Sequence, residues 1–277
     1  MMHQVRETPE KGADGMNYMN HTKAIARDGG TSFGIFQTVA SAAVSEILAN
    51  RGFDWILVDM EHGMAGIETA GDLFAAIDRG GPTPLVRVPS NDQATIKRAL
   101  DAGAMGVMIP MVNTREDAVR AVSSCKYAPA GTRGIGPGRV SLFGIRMGEY
   151  LATADAQVMV IPQAEHREAV EHIDEILSVP GIDVIFVGPY DLSCSMGLPG
   201  QVSHPDVEKA IETVLSAARR AGVTPGIFCM DVEGARHRAA QGFRFIAIGL
   251  ESVFLDRAVK GALGLLRGDE RASGRNA

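Results

Sequence analysis

Chemistry-bearing side chains gather where short apolar runs end. Trp55-Ile-Leu-Val-Asp59-Met-Glu61-His62 passes from apolar residues to carboxylates and an imidazole. Val158-Met-Val-Ile-Pro-Gln163-Ala-Glu165 and Val184-Ile-Phe-Val-Gly-Pro-Tyr190-Asp191-Leu-Ser193 repeat the pattern. Glu165 and Asp191 follow neighbouring runs. Two monodentate carboxylates plus water suit a hard divalent ion that keeps open coordination positions. His62 is either an ordinary loop histidine or a general base, and its place just after Asp59 favours the base. Arg87 lies inside Pro84-Leu-Val-Arg-Val-Pro89, where a charge must be paired or solvated. It is either a structural partner of a carboxylate or an anion clamp, and a planar guanidinium suits the clamp. Asp101 falls in the last turn of a helical segment, where an acid opposes the helix dipole by ~0.3–1 kcal/mol. It is either a tolerated surface acid or a group reaching inward to bond His62, fixing its tautomer and raising its basicity.

Other chemistries lack their residues. His166 and His172 are spaced as helix-surface residues, and His204 and His237 lie among polar neighbours. No HExxH, GKS/T or GxGxxG sequence occurs, so zinc-protease, nucleoside-triphosphate and Rossmann readings have no support. Imine catalysis needs a desolvated lysine pointing inward from a strand. None of Lys11, Lys23, Lys97, Lys126, Lys209 and Lys260 lies in an apolar run that reads as a strand.

The elements that must position these groups read as a βα repeat. Strands are expected near 33–37, 55–59, 84–88, 106–110, 157–162, 184–188, 225–229 and 244–249. Helical periodicity fills the gaps, as in Gln93 to Ala102 and Val207 to Ala221, with Asn91 and His204-Pro205 as starting signals. Gly52, Gly103, Gly222 and Gly242 each stand between a helical segment and the next strand, as a helix-ending glycine does. The irregular piece Tyr127 to Gly148 is expected to overhang the site.

These features predict a closed (β/α)8 TIM barrel in one α/β domain over 22–266, with a doubly wound open sheet as the alternative. Residues 1–21 read as a mobile N-terminal segment and 267–277 as a polar tail. Ligands of such folds sit at the carboxyl ends of the strands, which makes the acidic run-ends one site.

Hydrophobic residues, at 45%, suffice for a large core. A net charge of −6 argues against a nucleic-acid surface. No apolar stretch is long enough to span a membrane. The odd, scattered Cys125, Cys194 and Cys229 form no disulfide framework and fit a reducing cytoplasm.

At these residues the chain resembles the HpcH/HpaI aldolase family of metal-dependent pyruvate aldolases. The matching segments are Phe53 to His62, Pro84 to Pro89, Leu100-Asp-Ala-Gly-Ala-Met-Gly-Val-Met-Ile-Pro-Met-Val112, Gln163-Ala-Glu165 and Gly188 to Ser193. The resemblance runs from about Thr22 to Leu266. It implies a barrel that assembles as a homohexamer, a trimer of dimers with exchanged C-terminal helices. It implies Mg2+ or Mn2+, or else Co2+, on Glu165 and Asp191, with His62 as base, Asp101 supporting it and Arg87 stabilising developing charge. Gln163, Tyr190 and Asp191 would meet the keto acid. The implied substrates are pyruvate or oxaloacetate and a small aldehyde, joined or separated as 4-hydroxy-2-oxo acids through a pyruvate enolate. Oxaloacetate decarboxylation from the same enolate is the alternative, and a catalytically idle barrel is a third. The chain departs from the family pattern at Tyr190, bulky where members often carry a small residue, and at Gly136-Pro-Gly-Arg139.

Overall fold

Each of the expected apolar runs forms a strand. The computed structural model of the chain describes residues 18–268. In order, they form α1 (His21–Arg27), β1 (Ser32–Gln37), α2 (Ala42–Ala49), β2 (Trp55–Asp59), α3 (Ile67–Gly80), β3 (Thr83–Arg87), α4 (Gln93–Ala102), β4 (Gly106–Ile109) and α5 (Arg115–Cys125). A 3-10 turn (Arg139–Ser141) follows, then α6 (Met147–Gln157), β5 (Met159–Ala164), α7 (Arg167–Glu171), α8 (Ile173–Leu177), β6 (Val184–Val187) and α9 (Pro189–Ser195). The chain continues through α10 (Pro205–Ala221), β7 (Thr224–Cys229), α11 (Val232–Gln241), β8 (Phe245–Leu250) and α12 (Glu251–Arg267). The strands are parallel and lie in sequence order, and β8 returns to β1 through Ser32↔Phe245 and its neighbours. That pairing closes the barrel and rules out the open sheet.

Two details differ from expectation. β5 starts later than 157 because Val158 caps α6, its N–H bonding the Ala154 carbonyl. The Val158 carbonyl is taken by the Nζ of Lys23 (2.8 Å) and of Lys126 (3.0 Å), which keeps it out of the ladder. α4 is capped by Asp92, whose carboxylate accepts from Thr95 N at 2.8 Å. Asn91 donates instead to the Asp117 carbonyl. His204 caps α10 as expected, with Pro205 in its first turn.

The core has two layers because side chains alternate along each strand. Outward residues such as Ile56, Val86, Val107 and Ile185 pack beneath the helices. Trp55, Leu57, Leu85, Met108, Ile161, Phe186 and Phe245 fill the interior, with Trp55 stacked on Phe245 at 4.1 Å. Gly34 is demanded by that indole, since a Cβ there would come within 2.0 Å of Trp55. The interior is therefore a packed plug.

The expectations for residues 1–17 and 269–277 lie outside the described residues. Residues just before α1 are held in place. Asn20 is buried, caps α1 and bonds the Met105 and Gln157 carbonyls, and Tyr18 packs edge-on against Tyr150.

Tyr127 to Gly148 does not overhang its own barrel's mouth. It joins the end of α5 to α6, which leads into β5, so it must return to the foot of the barrel. It packs along α4, with Thr132 on Gln93, Arg133 on Asp101 and Gly138 against Asp101.

Candidate active site

The β2–β3 register sets Asp59 directly beside Arg87. Both are the uppermost inward residues of their strands, above Leu57 and Leu85. Arg87 donates from Nε (2.9 Å) and Nη2 (2.6 Å) to the two Asp59 oxygens, so Arg87 is paired with a carboxylate. Its Nη1 lies outside the pair, and its guanidinium stands 5.0 Å over the Phe36 ring. Burial opposes the charge on Arg87, but the Asp59 bonds and the charges of Asp59, Glu61 and Glu165 raise its pKa above the ordinary value.

Asp59 also shapes the following turn. Its Oδ1 accepts the backbone N–H groups of Glu61 (3.0 Å) and His62 (3.3 Å). Gly63 completes the turn, because a Cβ there would meet the Asp59 carbonyl oxygen at 2.1 Å. The Glu61 side chain is thereby turned in, 18% exposed, while His62 stands out at 64% with Nε2 3.8 Å from Glu61 Oε2. Glu61 Oε2 is also 3.2 Å from Arg87 Nε. It makes no hydrogen bond there, because the Nε hydrogen is given to Asp59. Burial raises the Glu61 carboxyl above its usual range, against the pull of Arg87 and His62.

Glu165, just past β5, is buried. Its oxygens accept from Met111 N (2.8 Å) and Gln163 Nε2 (2.6 Å). Burial, and then repulsion from Glu61 and Asp191, push its carboxyl up to about 7 despite the Met111 bond and Arg87. Asp191 sits in the first turn of α9, which Pro189 opens. Tyr190 beside it is 40% exposed and edge-on to Phe228 at 6.3 Å.

A cavity of about 240 Å3 is lined by Asp59, His62, Arg87, Gln163, Tyr190 and Asp191, among others. The expected site residues His62, Arg87, Gln163, Glu165, Tyr190 and Asp191 come together, with Asp59, at the carboxyl ends of β2, β3, β5 and β6.

Asp101 does not join them within the chain. α4 runs back down the barrel, so its last turn lies by the foot of β4, while His62 is at the mouth. Asp101 bonds instead to the Arg133 guanidinium at 2.7 Å, whose side chain is fully buried between Tyr127 and Tyr150. Three other histidines act locally. His166 and His204 cap helices through Nδ1, and His172 lies 3.6 Å from Glu175. Burial lowers the Lys126 pKa, but its Nζ bonds carbonyls at the foot of β5, away from the mouth.

Asp59 and Glu61 join the cluster at the mouth, although residue typing alone had not singled them out. The signal for Asp59 was its even spacing from Trp55 and Leu57, which puts it on the inward face. Glu61 lies beyond the strand, where periodicity no longer applies.

The donor set fits a hard divalent cation. Asp59, Glu61, Glu165 and Asp191 bring four carboxylates against the single guanidinium of Arg87. Gln163 Oε1 and Glu61 Oε2 are buried without a hydrogen-bond partner. All are oxygen donors, the class that Mg2+ and Mn2+ prefer. Among the described residues, no group of three or more His, Cys, Asp or Glu is already drawn together as a ligand cage.

Residues 32–258 match the model of the HpcH/HpaI aldolase/citrate lyase family, and the chain belongs to that family. It is 38% identical over 253 residues to the hydroxypyruvate/pyruvate aldolase of Paraburkholderia phytofirmans, covering 89% of this chain and 97% of the relative. A crystal structure of an HpcH/HpaI aldolase/citrate lyase family protein from Burkholderia cenocepacia superposes with a TM-score of 0.87 at 38% identity, over 90% of this chain and all of that one. Macrophomate synthase follows with a TM-score of 0.81 at 30% identity, covering 97% and 98%. The expectation of an aldolase-class lyase stands with the family.

Proposed function

We propose that this chain is a divalent-metal-dependent aldolase that forms or cleaves 4-hydroxy-2-oxo acids by way of the pyruvate enolate. The observation that carries the reading is the crowding of Glu61, Glu165 and Asp191 around Arg87 at the mouth, with Glu165 held at about 7 by burial and like charge. Glu165 and Asp191 would hold Mg2+, Mn2+ or Co2+, which supplies Lewis-acid polarisation of the keto carbonyl when bound. Asp59 locks the Arg87 guanidinium, leaving Nη1 to meet the oxyanion. Loss of one such donor typically costs ~10²–10³ in rate. Gln163 fixes the Glu165 carboxylate through Nε2, and its buried Oε1 remains to accept a bond. Tyr190 borders the keto acid. His62 removes or returns the methyl proton, and its exposure lets that proton exchange with solvent.

Pyruvate release or consumption, measured with and without EDTA across a panel of aldehydes, tests the reading. Turnover by rigorously metal-free enzyme, or failure to bind any divalent ion, would end it. One observation favours a second reading. His62 is open to solvent, its side chain 64% exposed, and oxaloacetate decarboxylation reaches the same enolate with no base. Product analysis with oxaloacetate, with and without an acceptor, separates the two.

A homohexamer, built as a trimer of dimers, is part of the proposal. α12 leaves Leu255, Val259, Leu265 and Leu266 exposed, and the segment along α4 exposes Ile135, Phe143 and Ile145. Patches of this kind mark interfaces. Pairing of Asp101 with His62 would then belong to a contact between subunits. No helix among the described residues is long and apolar enough to cross a membrane, and the three unpaired cysteines support a cytoplasmic setting.

A further inference from the structure

The cavity above the barrel plug has two unlike halves. The polar half carries Asp59, Arg87, Gln163 and Asp191, from β2, β3, β5 and the turn after β6. The other half comes from β7, β8 and β1, which are contiguous because the barrel closes. It presents Phe228 and Met230, Leu250 and Phe36. Phe36 meets Phe228 edge-on at 5.5 Å, and Phe228 meets Tyr190 edge-on at 6.3 Å, so the aromatic rings form one continuous row.

Charge divides the cavity in the same way. Arg87 is the one Lys or Arg among the described residues that line it, and two of its nitrogens are committed to Asp59. The keto acid claims what remains of that cation. A second carboxylate would find no counter-ion on the apolar wall. It would also lie in the field of Glu61, Glu165 and Asp191. Taking such a charge out of water without a partner is costly.

We infer that the acceptor is an uncharged aldehyde bearing an apolar alkyl or aryl group, seated on Phe228 and Tyr190, with the buried Phe36 behind them. The inference rests on the aldolase reading above and names its substrate class. The new bond joins the pyruvate methyl carbon, which gives up one proton, to the aldehyde carbon, whose oxygen takes one up. No other reactant is needed. With the donor on the polar half, the aldehyde substituent extends over the rings, where aromatic faces reward aryl contact.

The test uses the full chain with Mg2+ and pyruvate, and compares phenylacetaldehyde with succinic semialdehyde by kcat/KM. Phenylacetaldehyde should be preferred by about tenfold or more, the scale of pocket discrimination between unlike side chains. Equal or better use of succinic semialdehyde overturns the inference. Deuterium exchange at the pyruvate methyl group, run without aldehyde, separates the two levels. Exchange with the reversed preference sinks only the acceptor assignment. Absence of both exchange and product sinks the aldolase reading and the inference together. Met230→Lys should move the preference toward succinic semialdehyde by about tenfold, and Phe228→Leu should lower it in the same direction. Each ratio is taken within one preparation, so loss of folded protein cancels. Ratios unchanged in both variants overturn the role of the wall.

Discussion

Asp59 and Arg87 are register partners on adjacent strands, and their side chains join by two hydrogen bonds at the floor of the barrel mouth. The pair turns a charged residue in a strand from a liability into a fixed, oriented donor. Removing one partner strands the other charge in a buried place, which typically costs about 3–5 kcal/mol. Asp59→Ala should therefore lower the denaturant midpoint strongly as well as the rate. Arg87→Ala should do the same, because its partner is Asp59 and not only the reacting anion. A near-normal melting temperature for both variants would show that solvent reaches the pair.

Glu165 supplies a pH signature in metal-free protein. Its folded pKa, about 7, lies above the usual 4.5, so the folded state holds the proton more tightly than the unfolded state. Stability is then fully present below pH 4.5 and declines as pH rises toward 7, by up to about 3 kcal/mol in total. Glu165→Gln should flatten that decline and raise the melting temperature of the metal-free protein at pH 8. An identical pH–stability curve in the variant would remove the desolvated-carboxylate account.

Divalent ions should reverse the same penalty. Adding Mg2+ or Mn2+ at pH 8 should raise the melting temperature of the wild type, and EDTA should abolish carbon–carbon chemistry. Glu165→Ala and Asp191→Ala should each lose both effects while remaining folded. Calorimetric titration of the ion reads this directly, and undiminished affinity in either variant would move the metal elsewhere.

Asp101→Asn separates two roles. The amide oxygen still accepts from Arg133, but the counter-charge beside a fully buried guanidinium is lost, so the melting temperature should fall, by up to about 3–5 kcal/mol in stability. Support of His62 across a subunit contact should show as a drop of about tenfold or more in methyl proton exchange. Unchanged exchange would leave Asp101 as the partner of Arg133 alone.

His62→Ala should remove most of the deuterium incorporation at the pyruvate methyl group. Retention of exchange would assign the proton to another group at the mouth, with Glu61 as the nearest carboxylate.

The repeat, the strand positions and the residue types at the strand ends were legible in the chain because they are local. Alternation sends Asp59 and Arg87 inward, and glycines after helices mark the returns. Glu165 and Asp191 could be picked out as carboxylates following neighbouring strands. What local pattern did not carry was which charge meets which. Register joined Arg87 to Asp59, burial beside Glu61 and Asp191 lifted Glu165, and the downward run of α4 took Asp101 away from His62 to Arg133. The path of Tyr127 to Gly148 along the flank is of the same kind. Periodicity depends on a residue's neighbours in sequence and so is written in the chain. Pairing and desolvation depend on neighbours in space, which only closure of the barrel brings together.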